Sequence, residues 1–330
     1  MEPATLLFLS AADVRRALSM PAAIAAVTDA FRILSAGGAL APPRLNLALP
    51  PRDRTVLVMP AYLAGADSLA VKVIALYGDN PARGLPLAHA LVMVFDAESG
   101  RPRAVMDGGA LTTLRTGAAS GAATAILARP ESEAAAIIGA GRQGRTQLEA
   151  VCAVRPIRRA SVFDPEAGAA ERFANEMSGQ LGIPVIPAVT ADEAVAAADI
   201  VCTATPSGTP VFDDTAVRSG THINAVGAYT PTAREIPGET VGRSRLVVDS
   251  RAACLEEAGD LLIPLGEGLI GPPDTWVEIG EIAAGARPGR QSADEITLFK
   301  SVGLAVQDAA AAAVALQAAD SLGLGARVEL

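Results

Sequence analysis

The sequence predicts an α/β protein in two parts: a doubly wound parallel sheet and a second, mixed α+β domain. Three observations predict it. From residue 134 onward, short apolar runs alternate with helix-length runs, the rhythm of successive βα units in a parallel sheet. Before residue 108 the apolar runs are short, β-rich and joined by turns. Between the two lies "ALTTLRTGAASGAATAILAR", residues 110–129, an Ala-rich stretch that reads as one long helix. A chain of 330 residues suits two domains of ordinary size better than one.

In order, residues 1–38 carry two helical patterns. "SAADVRRALS" opens on a Ser cap, and "MPAAIAAVTDAFRILSAGG" has Pro early and closes at Gly37–Gly38. "TVLVMPAYL", "SLAVKVIALYG", "LAHALVMVFDAESG" and "RPRAVMDGG" follow as strands, the last two flanking the hairpin turn "ESGRP". That is a meander, so the first sheet is antiparallel in part. After the long helix come "AAAIIGAG", "RRASVFDP", "IPVIPAV", "DIVCTATP", "THINAVGAY" and "SRLVVDS" as strands, with "RQGRTQLEAVCAV", "EAGAAERFANEMSG", "TADEAVAAA" and "DTAVRSG" as the helices between them. "DEITLFKSVGLAVQDAAAAAVALQAADSLG" reads as one long final helix that packs back on the first domain. The expected division is residues 1–120, completed by 304–330, against 121–303.

Composition removes several classes. The formal charge of −9 disfavours nucleic acid, which needs a basic face. An acidic protein that binds an acidic ligand must concentrate basic residues in one pocket. Cys152, Cys202 and Cys254 lack CxxC spacing and read as buried small hydrophobes of a reduced compartment, and His89 and His222 are far apart, so no metal site is expected. "MEPATLLFLS" lacks a basic leader region, and no apolar run reaches a membrane span. The expectation is a cytoplasmic protein with no membrane partner.

The most informative motif is "IIGAGRQG". Gly139, Gly141 and Gly144 form GxGxxG after an apolar strand and at the start of a helix. In that context the first Gly makes the turn, the second lets the backbone approach a pyrophosphate, and the third lets helix and strand pack closely. The helix N-terminus, with Arg142 and Gln143, then faces the phosphates. The next strand ends at Asp164, where an acid bonds ribose hydroxyls and repels a 2′-phosphate. The second domain is therefore read as a Rossmann domain that favours NAD(H), with NADP(H) the alternative. Two more strand ends should face the cofactor: Thr203 and Thr205 after one, and Ala225, Val226 and Gly227 after the other. In the first domain Arg44, Lys72 and Arg115 stand in apolar text. A buried cation needs a partner, either a ligand carboxylate or a structural acid such as Asp107.

Taken with "LAVKVIALYGDNPARGLPLAHALVMVFDAESGRPRAVMDGGALTTLRTGAASGAAT", "ADIVCTATPSGTPVF", "HINAVGAYTPTAREIP", "VVDSRAACLEEAGDLLIPL" and "DEITLFKSVGLAVQD", these motifs make the chain resemble the ornithine cyclodeaminase/mu-crystallin family along nearly its whole length. The resemblance implies a homodimer whose mixed-sheet domain carries substrate and the dimer contact, beside a Rossmann domain. It implies NAD(P) chemistry on an amino-acid C–N bond. Arg44, Lys72 and Arg115 would hold the substrate carboxylate, Thr116 would touch the cofactor phosphates, and Ser301 and Val302 would line the nicotinamide–substrate pocket. Cyclodeaminases carry "GGD" after "AV", the Asp serving as base. Here the text is "GAY", with Tyr229 at that position, Ala233 where a Lys follows, and Leu87 after "GLP". The segment is closer to members that reduce imines such as pyrroline-2-carboxylate. A protonated imine is already an electrophile, so its reduction needs anchoring and orientation more than a strong base. Tyr229 and Thr230 are placed either to hydrogen-bond the substrate nitrogen or to shape the pocket. The expected activity is NAD(P)H-dependent reduction of a 2-imino acid, such as pyrroline-2-carboxylate or iminosuccinate, to an α-amino acid. The alternatives are an ornithine cyclodeaminase, an alanine dehydrogenase-like enzyme, or a non-catalytic binding protein.

Overall fold

The computed structural model describes residues 5–50, 54–66 and 68–329; the first four residues of the N-terminal segment weighed above lie outside them. In chain order the elements are β1 (Thr5–Leu9), α1 (Ala11–Ala17), α2 (Met20–Ser35), β2 (Ala39–Leu40), β3 (Leu45–Ala48), β4 (Arg54–Leu63), β5 (Ser68–Tyr77), β6 (Ala88–Phe95), β7 (Pro102–Asp107) and α3 (Gly108–Leu127). There follow β8 (Ala134–Ile138), α4 (Arg142–Val154), β9 (Arg159–Phe163), α5 (Ala169–Leu181), β10 (Val185–Pro187), α6 (Ala191–Ala196), β11 (Ile200–Thr203), β12 (His222–Ala225), α7 (Gly238–Gly242) and β13 (Arg245–Val248). The chain closes with α8 (Arg251–Glu257), α9 (Gly259–Gly266), β14 (Val277–Glu278), α10 (Ile279–Ala283), β15 (Thr297–Lys300), α11 (Ala305–Leu322) and β16 (Ala326–Glu329). Two compact units result: Met1–Arg115 with Leu304–Leu330, and Thr116–Gly303.

The first unit is one sheet in the order β16-β1-β7-β6-β5-β4-β2, with β3 also on β4. All its pairings are antiparallel except β1 with β7. Alternation along the strands sorts the side chains onto two faces. Met59, Lys72, Val92 and Met106 form one cross-strand row and all are buried. The neighbouring row of Val58, Val73 and Leu91 points the other way and is only partly covered, Leu91 remaining 54% exposed. Helix α11 lies against β4, β5 and β6 and against α1 and α2. Its run of small residues permits that close approach: Ala309, Ala311, Ala312 and Ala315 are fully buried. Ser10 caps α1 through a reciprocal bond with Asp13, and Ser19 caps α2, where Pro21 sits in the first turn.

The second unit is an eight-stranded sheet in the order β10-β9-β8-β11-β12-β15-β13-β14, parallel throughout. The order reverses between β8 and β11, the crevice where such sheets bind ligands. β8, β11, β12 and β15 are buried at every position. This continuous burial suits strands covered on both faces. His222 is buried between Thr297 Oγ1 at 2.9 Å and Asn224 Oδ1 at 3.2 Å.

The text "DEITLFKSVGLAVQDAAAAAVALQAADSLG" is not one helix. Thr297–Lys300 is an interior strand, Ser301–Leu304 is an irregular connection that turns at Gly303 (φ +81°), and the helix begins only at Ala305. Burial within a parallel sheet overrides the helical reading, because a short apolar run has no period that distinguishes the two states. β1 is a strand that the sequence reading does not foresee: its text, within "MEPATLLFLS", is read there only for a leader region. "DTAVRSG" forms only a single 3₁₀ turn, Asp214–Ala216.

Candidate active site

The glycine loop after β8 has three distinct constraints. Gly139 has φ +106°, and a Cβ there would lie 2.7 Å from Ala204 O. A Cβ on Gly144 would lie 2.2 Å from Gly139 O, so helix α4 packs on the loop only with glycine. A Cβ on Gly141 would meet nothing within 4 Å. The loop is therefore tight on its inner side and open at Gly141, where α4 begins with exposed Arg142 and half-buried Gln143. This shape fits a pyrophosphate at a helix N-terminus. Asp164, just past β9, accepts from Ala140 N at 2.8 Å and from Glu166 N at 2.9 Å, so the acid stands against the loop. The two residues after it, Pro165 and Glu166, carry no positive charge, and Arg172 is paired with Glu166 at 2.8 Å.

The next two strand ends are held by one buried carboxylate, Glu235. Its Oε1 accepts from Thr205 N at 2.7 Å and Thr205 Oγ1 at 2.8 Å. Its Oε2 accepts from Gly227 N at 2.7 Å, Thr203 Oγ1 at 3.0 Å and Ala228 N at 3.2 Å. Burial, then the nearby Asp260, pushes the Glu235 carboxyl above the ordinary range. A Cβ on Gly227 would lie 2.3 Å from Thr205 O and 2.5 Å from Glu235, so only glycine lets the two loops approach. Asp260 accepts in turn from Glu235 N at 2.6 Å, Ile236 N at 3.0 Å and Lys300 Nζ at 2.7 Å. Lys300 also donates to Ala228 O at 2.5 Å. Burial alone would lower Lys300, but Asp260 and Glu235 outweigh it and hold its ammonium above the ordinary lysine range.

Asp249, at the end of β13, accepts from Ser301 Oγ at 2.7 Å, Val302 N at 2.9 Å and Gly303 N at 3.0 Å. It thereby fixes the segment that bears Ser301 and Val302. Ala225 closes β12, and Val226 and Gly227 turn away half-buried. Tyr229 is 45% exposed and Thr230 is exposed, so neither is core packing of its unit. Thr116 is buried, and its carbonyl accepts from Gln147 Nε2 at 3.4 Å.

In the first unit Lys72 and Arg115 meet on a carboxylate. Lys72 Nζ lies 2.6 Å from Asp308 Oδ2, and Arg115 Nε donates to Asp308 Oδ1 at 3.0 Å. Arg115 Nη1 donates to Gln307 Oε1 at 2.6 Å. Burial pushes the Lys72 ammonium down to about 8; Asp308 opposes this, while Arg115 and Arg44 add to it. Burial works against the Asp308 carboxylate, but Arg115 and Lys72 outweigh it and hold its carboxyl below the ordinary range. Arg44 is half-buried just before β3, close enough to act on Lys72. Two buried cations therefore share one carboxylate, with a third cation nearby.

The sequence reading missed Asp308, Glu235, Asp260 and Lys300. It offered Asp107 as the structural acid, and that carboxylate instead accepts from Ala110 N at 2.7 Å at the start of α3. A signal for Asp308 existed: Gln307–Asp308 is a polar pair in otherwise apolar text. Lys300, like Lys72, is a lysine within a strand-like apolar run. Among the described residues no group of three or more His, Cys, Asp or Glu is placed to hold a metal ion. No single helix among them is long and apolar enough to cross a membrane.

The parallel sheet with its glycine loop at the switch point defines a Rossmann-type α/β protein of the dinucleotide-binding class. The model of the ornithine cyclodeaminase/mu-crystallin family matches residues 5–321, and the chain belongs to that family. It is 38% identical to a Delta(1)-pyrroline-2-carboxylate reductase of Bacillus cereus, over 98% of this chain and 100% of that one. The solved structure of Thermococcus litoralis Delta(1)-pyrroline-2-carboxylate reductase in complex with NADH and L-proline superposes with TM-score 0.94 and 45% identity, over 98% of this chain and 100% of that chain. An archaeal alanine dehydrogenase dimer with bound NAD gives TM-score 0.91 and 35% identity, over 99% of each chain.

Proposed function

We propose that the chain is an NADH-dependent imine reductase that converts a cyclic 2-imino acid of the pyrroline-2-carboxylate type to the α-amino acid. The observation that carries the reading is that the three buried carboxylates which hold the strand-end loops are engaged in doing so. Glu235 is taken by five donors, Asp260 by two backbone N–H groups and Lys300, and Asp249 by the Ser301–Gly303 segment. The loop itself presents Tyr229 and Thr230 where cyclodeaminases present a base. Oxidising an amine needs a group that takes its proton, and the loop offers a phenol and an alcohol there, neither of them a carboxylate or imidazole base. Reducing an iminium needs only that the carbon be positioned, since its charge already makes it an electrophile.

The residues then divide the work. Among the described residues Lys72 and Arg115 outnumber Asp308, and these two cations, with Arg44 near Lys72, hold the substrate carboxylate. Gly139, Gly141 and Gly144 with the start of α4 hold the pyrophosphate, and Asp164 favours NADH over NADPH. NADH supplies the hydride. The iminium carbon gains it and the nitrogen keeps its proton, so the product is a secondary amine and no base is required. Tyr229 or Thr230 orients the nitrogen through a hydrogen bond. We read the chain as a homodimer, supported by the half-covered apolar row of Val58, Val73 and Leu91, and as a cytoplasmic protein with free cysteines.

The alanine dehydrogenase likeness favours a second reading, in which the imine is acyclic and forms from an oxo acid and ammonia. NADH oxidation measured with pyrroline-2-carboxylate, iminosuccinate, and pyruvate plus ammonia separates the two. The cyclic imine should turn over with the highest kcat/KM. No turnover with any imino acid would sink both readings.

A further inference from the structure

We infer that Asp308 is the positioning residue of the substrate anchor: its carboxylate fixes the Lys72 ammonium and the Arg115 guanidinium in place. The inference rests on the proposed function only in taking the anchored group to be the substrate's carboxylate.

The geometry is that of a divided acceptor. One oxygen of Asp308 faces Lys72 at 2.6 Å and the other accepts from Arg115 at 3.0 Å, with all three side chains almost wholly buried. A purely structural pair would balance its charges. Among the described residues Lys72 from β5 and Arg115 from α3 are two cations on the one acid of α11, and Gln307 carries no charge. A buried surplus of positive charge is costly until an anion arrives, which is the condition for binding one.

Asp308 is also well held. It lies in the first turn of an 18-residue helix, where the backbone dipole favours a carboxylate. The next residue, Ala309, accepts at its carbonyl from Ser68 Oγ at 2.8 Å, which ties α11 to the start of the strand that carries Lys72. Burial has already brought Lys72 to about 8, with Asp308 opposing the loss of its proton. Neutralising Asp308 removes that opposition, so Lys72 sheds its proton at lower pH and the anchor loses charge in the neutral range.

The test uses full-length Asp308→Asn and Asp308→Glu with NADH and pyrroline-2-carboxylate. For Asp308→Asn, kcat/KM at neutral pH should fall about 10²-fold or more, chiefly through KM, because a buried charge pair has lost one partner. If Lys72, brought to about 8 by burial, sets the alkaline limb of kcat/KM in the wild type, that limb should move to lower pH by about one unit or more. Asp308→Glu should keep the wild-type limb with a raised KM, and NADH affinity should be unchanged in both. A folded Asp308→Asn enzyme with wild-type KM and wild-type limb overturns the inference. If Asp308→Asn does not fold, Asp308→Glu decides: wild-type KM overturns the inference, and a raised KM with the limb retained supports it. A nitrogen-15 NMR titration of Lys72, assigned by its loss in Lys72→Arg, reads the same shift without turnover. If the wild type reduces no imino acid, the functional reading falls while this titration still decides the role of Asp308.

Discussion

Replacing Glu235 by Gln tests whether one carboxylate organises both strand-end loops. The amide must put its NH2 at one of the two oxygen positions. At the Oε1 position it faces Thr205 N–H and the Thr205 hydroxyl. At the Oε2 position it faces Gly227 N–H, Ala228 N–H and the Thr203 hydroxyl. A hydroxyl can turn and accept, whereas a backbone N–H cannot. The less costly placement orphans one buried N–H and the other orphans two. One orphan, together with weaker bonds from the remaining donors, costs about 2–3 kcal/mol. For a unit of this size that lowers the melting temperature by about 4–12 °C. The loosened loops should also weaken NADH binding about tenfold, the equivalent of about 1.4 kcal/mol. Calorimetry and NADH fluorescence titration measure the two effects. Thr205→Val, which removes one hydroxyl and no backbone donor, should cost less than half as much. A Glu235→Gln protein that melts with the wild type and binds NADH equally well would refute the hub.

Three further expectations follow from the same geometry. Lys72→Ala removes a partner of Asp308 and a cation of the anchor, so kcat/KM for pyrroline-2-carboxylate should fall about 10²-fold or more while NADH affinity holds, as steady-state kinetics and NADH titration would report. Asp164→Ser combined with Pro165→Arg should raise NADPH use relative to NADH, since the repelling acid is gone and a cation is supplied; a wild type that already prefers NADPH would contradict this role of Asp164. Burial, with Arg290 adding, pushes His222 down to about 3 from 6.5. Between those values the unfolded chain binds a proton that the folded one refuses, so stability falls as pH drops through that window. His222→Asn should flatten that slope in denaturant melts at pH 4 to 7, even if it costs stability at neutral pH.

How much was legible in the sequence depends on the range over which each signal acts. The glycine loop is local: turn, approach and helix start fall within six residues, so Gly139, Gly141 and Gly144 carry their strand–turn–helix context in the adjoining text. The caps at Ser10 and Ser19 are local in the same way. The failures are all non-local. Thr297–Lys300 is apolar and short, and it is a strand only because β12 and β13 flank it, the latter about fifty residues earlier in the chain. Lys72 and Arg115 stood out as cations in apolar text, but their partner lies 193 residues beyond Arg115, on a helix whose composition suggested only packing.

Glu235 was invisible for a related reason. Its partners are mostly backbone N–H groups, which carry no sequence identity of their own. The same fact explains why the missing acid at Tyr229 could be read directly while the acid that shapes the loop could not. A side chain that meets a ligand is constrained by type at one position. A side chain that holds a loop is constrained by where the backbone passes, and only the folded sheet decides that. Positions 229 and 235 of the loop thus have opposite relations to chemistry. The acid that cyclodeaminases carry at the position of Tyr229 is absent, which leaves reduction as the supported direction, and the acid at 235 is consumed in making the turn that presents Tyr229 and Thr230.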